Sequence, residues 1–260
     1  MTDLTTRVLK SSFFLISFRF VQRVIGLVSL IILARILSPE DFGIVAIVTL
    51  IIGFFETMSD AGAQQYLIQK QSINRSDIDS AWSLNLFISL GLWVFLLIIA
   101  PHFAEFYDNP ELELLLYVIS SVLIFKALVS PGVILLKRDL NYLQIFYLQV
   151  TAKLVSFACV MTIVYFHPTY WALVFGTIVS IIIEFSGSYL IHEYRPKITV
   201  KRIKKQWQFS KWLVLRNFFG FFRGQVDLIL VTKYFNPATI GLYNMSRQIG
   251  FLPSNELLGP

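Results

Sequence analysis

The sequence has a single cysteine, Cys159, and only three histidines, which are scattered over different predicted loops. A lone cysteine inside an apolar run forms no disulfide and no thiolate metal site, and isolated histidines indicate no zinc site. The chain also lacks a glycine-rich phosphate loop with its lysine, which excludes ATP hydrolysis by that route. We therefore expect no cofactor.

Charged residues are scarce as well, at 15% of the 260 residues, whereas apolar residues make up 56%. This balance is not typical of soluble domains, and apolar runs long enough to cross a bilayer recur along the chain. The predicted fold class is all-α, a polytopic bundle of transmembrane helices. The predicted segments are 13–34, 42–68, 81–100, 112–136, 142–166, 170–191 and 212–235, with an eighth that starts at Ile240 and is expected to be incomplete.

Loop charges predict the orientation of these segments. Lys and Arg concentrate before segment one and after segments two, four and six, whereas the loop at 101–113 is acidic. Short cytoplasmic loops collect basic residues, so the N-terminus is predicted to be cytoplasmic. The net charge of +6 then reflects membrane topology, and we expect no nucleic-acid partner.

A basic stretch follows segment six. In residues 197–211, Val200, Ile203 and Trp207 share one helical face, with lysines between them. This pattern predicts an amphipathic helix that lies on the anionic membrane surface and contacts membrane lipids.

A proline-centred corner, LSPEDFG at residues 37–43, separates the first two segments and recurs later in the chain. A shift of 198 residues pairs Arg35 with Lys233, Ser38 with Asn236, Pro39 with Pro237 and Gly43 with Gly241. Ser and Asn cap helices, and proline fits a first helical turn. A long repeat in a membrane protein predicts two related halves, although any two membrane hairpins can share a proline and a glycine.

The predicted domain organisation follows from the repeat and the basic stretch. Residues 1–195 form a first lobe of about six helices, residues 196–211 form the cytoplasmic amphipathic linker, and residues 212–260 begin a pseudo-symmetric second lobe.

Basic residues inside the predicted spans are the main candidates for function. Charge in hydrocarbon is costly, so such residues usually face a bundle interior or a wet cavity. Clustered cations in a low-dielectric cleft suit phosphate, which arginine binds with two parallel hydrogen bonds. The predicted pyrophosphate-binding set is Arg19, Arg23, Arg216, Arg223, Lys126 and Lys153. The open alternative is ion pairing, of Arg223 with Asp227 and of the lysines with Glu56 or Glu184.

Acidic residues within the spans have two interpretations. Glu56, Asp60 and Asp227 either carry a coupling proton or sodium ion or balance the arginines. Residues 59–62, SDAG, are predicted to break the second segment near its cytoplasmic end. Asp77 and Asp79 form a DxD pattern of the kind metal-dependent glycosyltransferases use, but they are more simply acidic residues that open segment three.

Three stretches of this chain carry a family resemblance. ARILSPEDFGIVAIVTLIIGFFETMSDAGAQQYLIQK at 34–70 resembles the signature hairpin of the bacterial polysaccharide-transport flippases, within the multidrug and oligosaccharidyl-lipid exporter superfamily. FSKWLVLRN at 209–217 and NPATIGLYNMSRQIGFLP at 236–253 resemble the start of that family's second lobe.

The resemblance implies a non-enzymatic flippase of the bacterial inner membrane with two bundles around a central cavity. Its substrate would be an undecaprenyl-pyrophosphate-linked oligosaccharide, and its partners would include other polysaccharide-assembly proteins. Two alternatives remain. A multidrug antiporter is expected to have an acidic or aromatic cavity, and a membrane-embedded glycan polymerase or transferase is expected to have a large outer catalytic loop.

Overall fold

Helices form all the regular secondary structure that the computed structural model describes. The description covers residues 2–70 and 72–250, without the side chains of residues 2–16, 18 and 19. Within these residues there are eleven helices and no strand, which confirms the all-α fold class. The side chain of Arg19 and the last ten residues of the predicted second lobe lie outside the described residues.

The helices follow one another with short connections. They are α1 (Thr2–Ile36), α2 (Pro39–Ser59), α3 (Ala63–Gln69), α4 (Arg75–Phe106), α5 (Glu111–Ile119), α6 (Ser121–Leu128), α7 (Gly132–Arg138), α8 (Tyr142–Phe166), α9 (Trp171–Ile191), α10 (Ile203–Tyr234) and α11 (Pro237–Gly250).

Four of the described spans are long and apolar enough to cross a membrane: α2 with α3, α4, α8 and α9. A fifth is added if α5–α6 and α7 are counted together, since they form one broken span bent by 56°. The chain is therefore a multi-pass helical membrane protein. Predicted segments one and seven, now α1 and α10, are not in this group, and α10 carries Arg216, Arg223 and Asp227 among its apolar residues.

Both proline corners begin a helix in the predicted way. At the first, the backbone N–H of Asp41 donates to Ser38 Oγ (3.1 Å), and the N–H of Ser38 donates to the Asp41 carboxylate (3.0 Å). At the second, the N–H of Thr239 donates to Asn236 Oδ1 (2.9 Å). Pro39 and Pro237 are the first residues of α2 and α11, where a missing N–H costs nothing.

The two corners also pack directly against each other, which the repeat alone did not predict. The most extensive contact between helices joins α2 and α11. A methyl group added to Gly43 would overlap the carbonyl of Pro237, and one added to Gly241 would overlap the carbonyl of Pro39. Such reciprocal contacts are what a two-fold relation between equivalent elements produces. We call this end of the molecule the corner end.

The largest apolar core surrounds α2. It joins residues of α2, α4, α5, α6 and α9 and includes Ile240 of α11, which is 1% exposed. A second cluster, which includes Leu33, Val160 and Ala172, attaches α1 to α8 and α9. Helix α2 is therefore the central element of the described fold.

The structure agrees with one predicted helix break and differs from the prediction at a second break and at the linker. The predicted break at 59–62 is confirmed, since α2 ends at Ser59 and Gly62 adopts a left-handed φ of 68°. A second break at 129–131, between α6 and α7, was not predicted. The predicted amphipathic helix over 197–211 is formed only in part: residues 192–200 are not helical, whereas residues 203–211 are helical and are the first turns of α10.

The close approach of the corners predicts that alanine destabilises the protein at Gly43 but not at Gly91. Gly43→Ala in the intact protein should lower the free energy of unfolding by about 1–3 kcal/mol, because its methyl group meets backbone that cannot swing aside. Gly91→Ala in α4 is the control, since a Cβ there meets nothing within 4 Å and alanine favours the helix. Thermal unfolding in detergent measures both. A Gly43→Ala variant as stable as the control would contradict the packing described.

Candidate functional site

The two helix breaks, at 60–62 and 129–131, line a cavity of about 580 Å³. Its walls come from α2, α3, α4, α6 and α7, and Asn217 of α10 completes them. Breaks at membrane depth are tolerated where the free backbone groups are buried in protein or line a wet cavity. We call this space the break cavity.

Four charged side chains line the break cavity, and their charges cancel. Lys126 Nζ lies 3.1 Å from Glu56 Oε2, which confirms the predicted alternative that this lysine forms an ion pair. Lys137 Nζ donates to Gln64 Oε1 (2.8 Å). Asp60 accepts a hydrogen bond from the backbone N–H of Gly62 at 3.0 Å. The cavity is thus hydrophilic but carries no excess of either sign.

Helix α10 supplies partners for backbone groups freed at the first break. Ser210 Oγ donates to the carbonyl of Ala61 (2.5 Å), and Asn217 Nδ2 donates to the carbonyl of Asp60 (3.4 Å). Buried carbonyls without partners are costly, so these contacts stabilise the broken conformation. They also fix the first half of α10 against the break that follows α2.

The predicted pyrophosphate set does not form one cluster among the described residues. Lys126 lies in the break cavity, whereas Lys153 of α8 lines a separate cavity of about 240 Å³ with Ser29, Ser156, Thr177 and Ser180. Arg23 is half-buried on α1, which packs mainly on α8.

The two arginines of α10 are exposed. Arg216 and Arg223 lie on a helix that packs on α2, α4 and α11. The alternative pairing of Arg223 with Asp227 is wrong, because the Asp227 carboxylate binds α11 instead. It lies 3.0 Å from Arg247 Nε and accepts a hydrogen bond from Tyr243 Oη (2.8 Å). A shared basic face formed by both arginine stripes stays a prediction.

Sequence reasoning missed the role of Asp77 at the start of α4. Its side chain is fully buried and binds Lys70 Nζ (2.6 Å) and Arg202 Nη1 (2.8 Å). It also accepts from the backbone N–H of Asn74 (3.0 Å) as part of a capping box. The prediction that this aspartate opens a helix is confirmed, but one of its two cationic partners comes from a segment 125 residues away.

The neighbouring Asp79 binds the same segment. It accepts hydrogen bonds from Tyr194 Oη (2.8 Å) and the backbone N–H of Lys197 (3.1 Å), while Ser83 Oγ accepts from the N–H of Thr199 (3.0 Å). Burial and the bond to Asp79 raise the pKa of Tyr194. We call residues 192–202 the strapped linker.

These contacts occupy the carboxylates of the DxD pattern. The described residues contain no group of three or more His, Cys, Asp or Glu side chains that could hold a metal ion. The DxD pattern therefore acts here as a clamp for the strapped linker.

The corners, the break cavity and the clamp all lie within one family match. The family described as polysaccharide biosynthesis protein matches residues 32–260. The chain belongs to this family. No solved structure matches the chain.

Relatives in the family include the lipopolysaccharide biosynthesis protein WzxC of Escherichia coli, 21% identical over 90% of this chain and 48% of the relative. The succinoglycan biosynthesis transport protein ExoT of Rhizobium meliloti is 24% identical over 87% of this chain and 46% of the relative. An uncharacterized membrane protein in the cps region of Klebsiella pneumoniae is 23% identical over 90% and 49%. The chain spans about half the length of the curated relatives it matches.

The clamp predicts that the strapped linker opens when Asp77 loses its charge. Asp77→Asn keeps the side-chain size but removes the charge-assisted bonds to Lys70 and Arg202. Even one such bond contributes about 1.5 kcal/mol to the free energy of local opening. Where cleavage follows local opening, the substitution should therefore raise the rate of tryptic cleavage within the linker at least about tenfold. Asp139→Asn, on an exposed aspartate, is the control. Equal cleavage of both variants would show that the clamp does not hold the linker.

Proposed function

We propose that the intact protein is a flippase that moves undecaprenyl-pyrophosphate-linked oligosaccharide across the bacterial inner membrane for surface polysaccharide synthesis. Family membership and the transport role named for one relative support this assignment. The proposed orientation places the N-terminus in the cytoplasm and the corner end on the outer side. Other polysaccharide-assembly proteins are the expected partners.

The observation that carries the proposal is the reciprocal packing of the two corners. Alternating access requires two related halves that touch on one side while the other side is open. Pro39 and Gly43 of one repeat meet Pro237 and Gly241 of the other, so the equivalent helices α2 and α11 close the corner end. In the proposed mechanism this contact is the outer gate of an inward-facing state, and rocking of the lobes opens it.

Basic residues on the equivalent helices α1 and α10 would hold the pyrophosphate. At 1.5 Å per residue, Arg23 lies about 24 Å along α1 from the first corner, and Arg223 lies about 21 Å along α10 from the second. Both are therefore well inside the closed end. Arg19, Arg216 and Lys153 extend this basic region in the proposal, whereas Lys126 is already neutralised by Glu56.

Acidic residues would carry the coupling ion. Asp227 joins α10 to α11 through Arg247 and Tyr243, so a proton or sodium ion bound there would alter the contact between these two helices. Glu56 and Asp60, the other predicted carboxylates, are assigned to charge balance in this proposal, because Lys126 and Lys137 line the same cavity.

The structure favours a transporter over a membrane-embedded polymerase or transferase. The described connections at the corner end, at 37–38, 107–110, 167–170 and 235–236, are short. Contacts across this end tie them together, such as the hydrogen bond from the N–H of Tyr170 to Asp41 (3.2 Å). A large outer catalytic loop is absent from these described connections.

Removal of the proposed phosphate-binding charges tests the mechanism. Arg23→Ala and Arg223→Ala in the intact protein should each weaken binding of undecaprenyl pyrophosphate by about ten- to a hundredfold, since each removes hydrogen bonds to a charged group. Surface polysaccharide in cells that depend on the variant should fall as well. Arg35→Ala is the control, because Arg35 is exposed beside the corner. Wild-type binding and polysaccharide levels in both variants would overturn the cationic-cavity mechanism.

A further inference from the structure

The break cavity has the size of a small-molecule site. Its volume of about 580 Å³ lies within the range of about 300–1,000 Å³ that ligand pockets occupy. A bare proton or metal ion would need far less space. The cavity wall also carries charged and amide side chains among its apolar ones, which makes it a poor site for a lipid tail.

The charges on the cavity wall favour a neutral ligand. Glu56 and Asp60 would repel a phosphate, while Lys126 and Lys137 would repel a cation. Both lysines already have partners, Glu56 at 3.1 Å and Gln64 at 2.8 Å. A neutral molecule with many hydrogen-bonding groups is repelled neither by the carboxylates nor by the lysines.

The remaining polar groups on the wall include both donors and acceptors. Side-chain amides come from α3, α4 and α10, namely Gln64, Gln65, Asn85 and Asn217. Gln64 Oε1, Asn85 Oδ1 and Asn217 Nδ2 already have partners. The other N–H and carbonyl groups of these amides complement a sugar hydroxyl, which both donates and accepts.

Two wall residues hold polar atoms that lack partners. Gln65 Oε1 and Trp82 Nε1 are buried and make no hydrogen bond within the part of the chain that the structure describes. Buried polar atoms of this kind are costly and therefore uncommon in folded proteins. Both residues line the break cavity, so a change of side-chain rotamer towards it would bring these atoms to a ligand there.

We infer that the break cavity binds sugar residues of the lipid-linked saccharide, separately from its pyrophosphate. This inference rests on the proposed flippase function and adds a saccharide subsite to it. Gln65 accepts a hydrogen bond from a sugar hydroxyl, Trp82 donates one, and the neutral pair of Glu56 with Lys126 supplies further polar contacts.

The test compares lipids with and without a sugar. The probes are undecaprenyl-pyrophosphoryl glucose, its galactose epimer and undecaprenyl pyrophosphate, each titrated into the intact protein in nanodiscs. The wild type should bind at least one glycosylated lipid more tightly than the sugar-free lipid. Gln65→Leu combined with Trp82→Phe should weaken binding of that glycosylated lipid by about tenfold and leave the sugar-free lipid unchanged.

Gln206→Leu provides the matched control. Gln206 is 1% exposed and its amide also lacks partners within the described residues, but it does not line the break cavity. It should change binding of neither lipid. Thermal unfolding of all variants checks that they fold, and the wild-type comparison of lipids tests the subsite without any substitution.

Each other outcome overturns a defined part of the proposal. If the wild type binds all three lipids equally, the saccharide subsite is wrong while the flippase assignment stands. If the cavity variant weakens all lipids alike, or if Gln206→Leu has the same effect as the cavity variant, the effect is not specific to the sugar and the subsite is again wrong. If the wild type binds none of these lipids, the proposed function fails and the subsite fails with it.

Discussion

The backbone contact between the two proline corners constrains the rest of this structure. The carbonyl of Pro237 lies where a side chain of residue 43 would be, and the carbonyl of Pro39 lies where a side chain of residue 241 would be. Glycine at both places lets two helices approach through their backbones, as small residues do between membrane helices. Because α2 is also the centre of the main apolar core, its contact with α11 positions α11 on that core.

Helix α10 is held at both of its ends, but by different kinds of interaction. Near the corner end, Lys233 lies 3.6 Å from the centre of the Phe106 ring, and Tyr107 contacts Thr232. At the opposite end, the buried carboxylate of Asp77 binds Arg202 of the strapped linker. The carbonyl of Ala61, at the first helix break, accepts a hydrogen bond from Ser210. A charge-assisted hydrogen bond to a buried carboxylate contributes about 1.5–3 kcal/mol, more than most single contacts of exposed side chains. In the proposed rocking motion, the clamped end is therefore the pivot and the corner end is the part that separates.

Local chemistry explains what could be predicted from the sequence. Ser38 before Pro39 and Asn236 before Pro237 are capping residues beside a first-turn proline, and the structure shows both caps. Gly62 allowed the first break to be predicted. The second break had a similar signal in Ser130-Pro131-Gly132, which was overlooked inside a long apolar run.

Contacts between distant residues could not be read from spacing. Asp77 and Asp79 look like ordinary acidic residues at a helix start until residues more than 100 positions away fold onto them. The linker helix was predicted to begin too early, because its apolar spacing suited a helix from Lys197 whereas the helix begins only at Ile203. Hydrogen bonds from Lys197 and Thr199 to α4 then replace those of a helix. Spacing was also insufficient for the basic residues. It shows which of them share a helical face, but not which cavity each side chain lines.

The described structure has a neutral cavity in one place and exposed arginines in another, and a ligand with a charged head and a neutral glycan would need both kinds of surface. A pyrophosphate carries negative charge and a neutral glycan does not, so one site cannot suit both equally well. Lys126 illustrates the distinction, since its pairing with Glu56 makes the break cavity neutral although the lysine itself is a cation. Arg216 and Arg223 lie on exposed parts of α10 outside that pairing. Separate recognition of a charged head and a neutral glycan would therefore require two regions of different charge rather than one shared cavity.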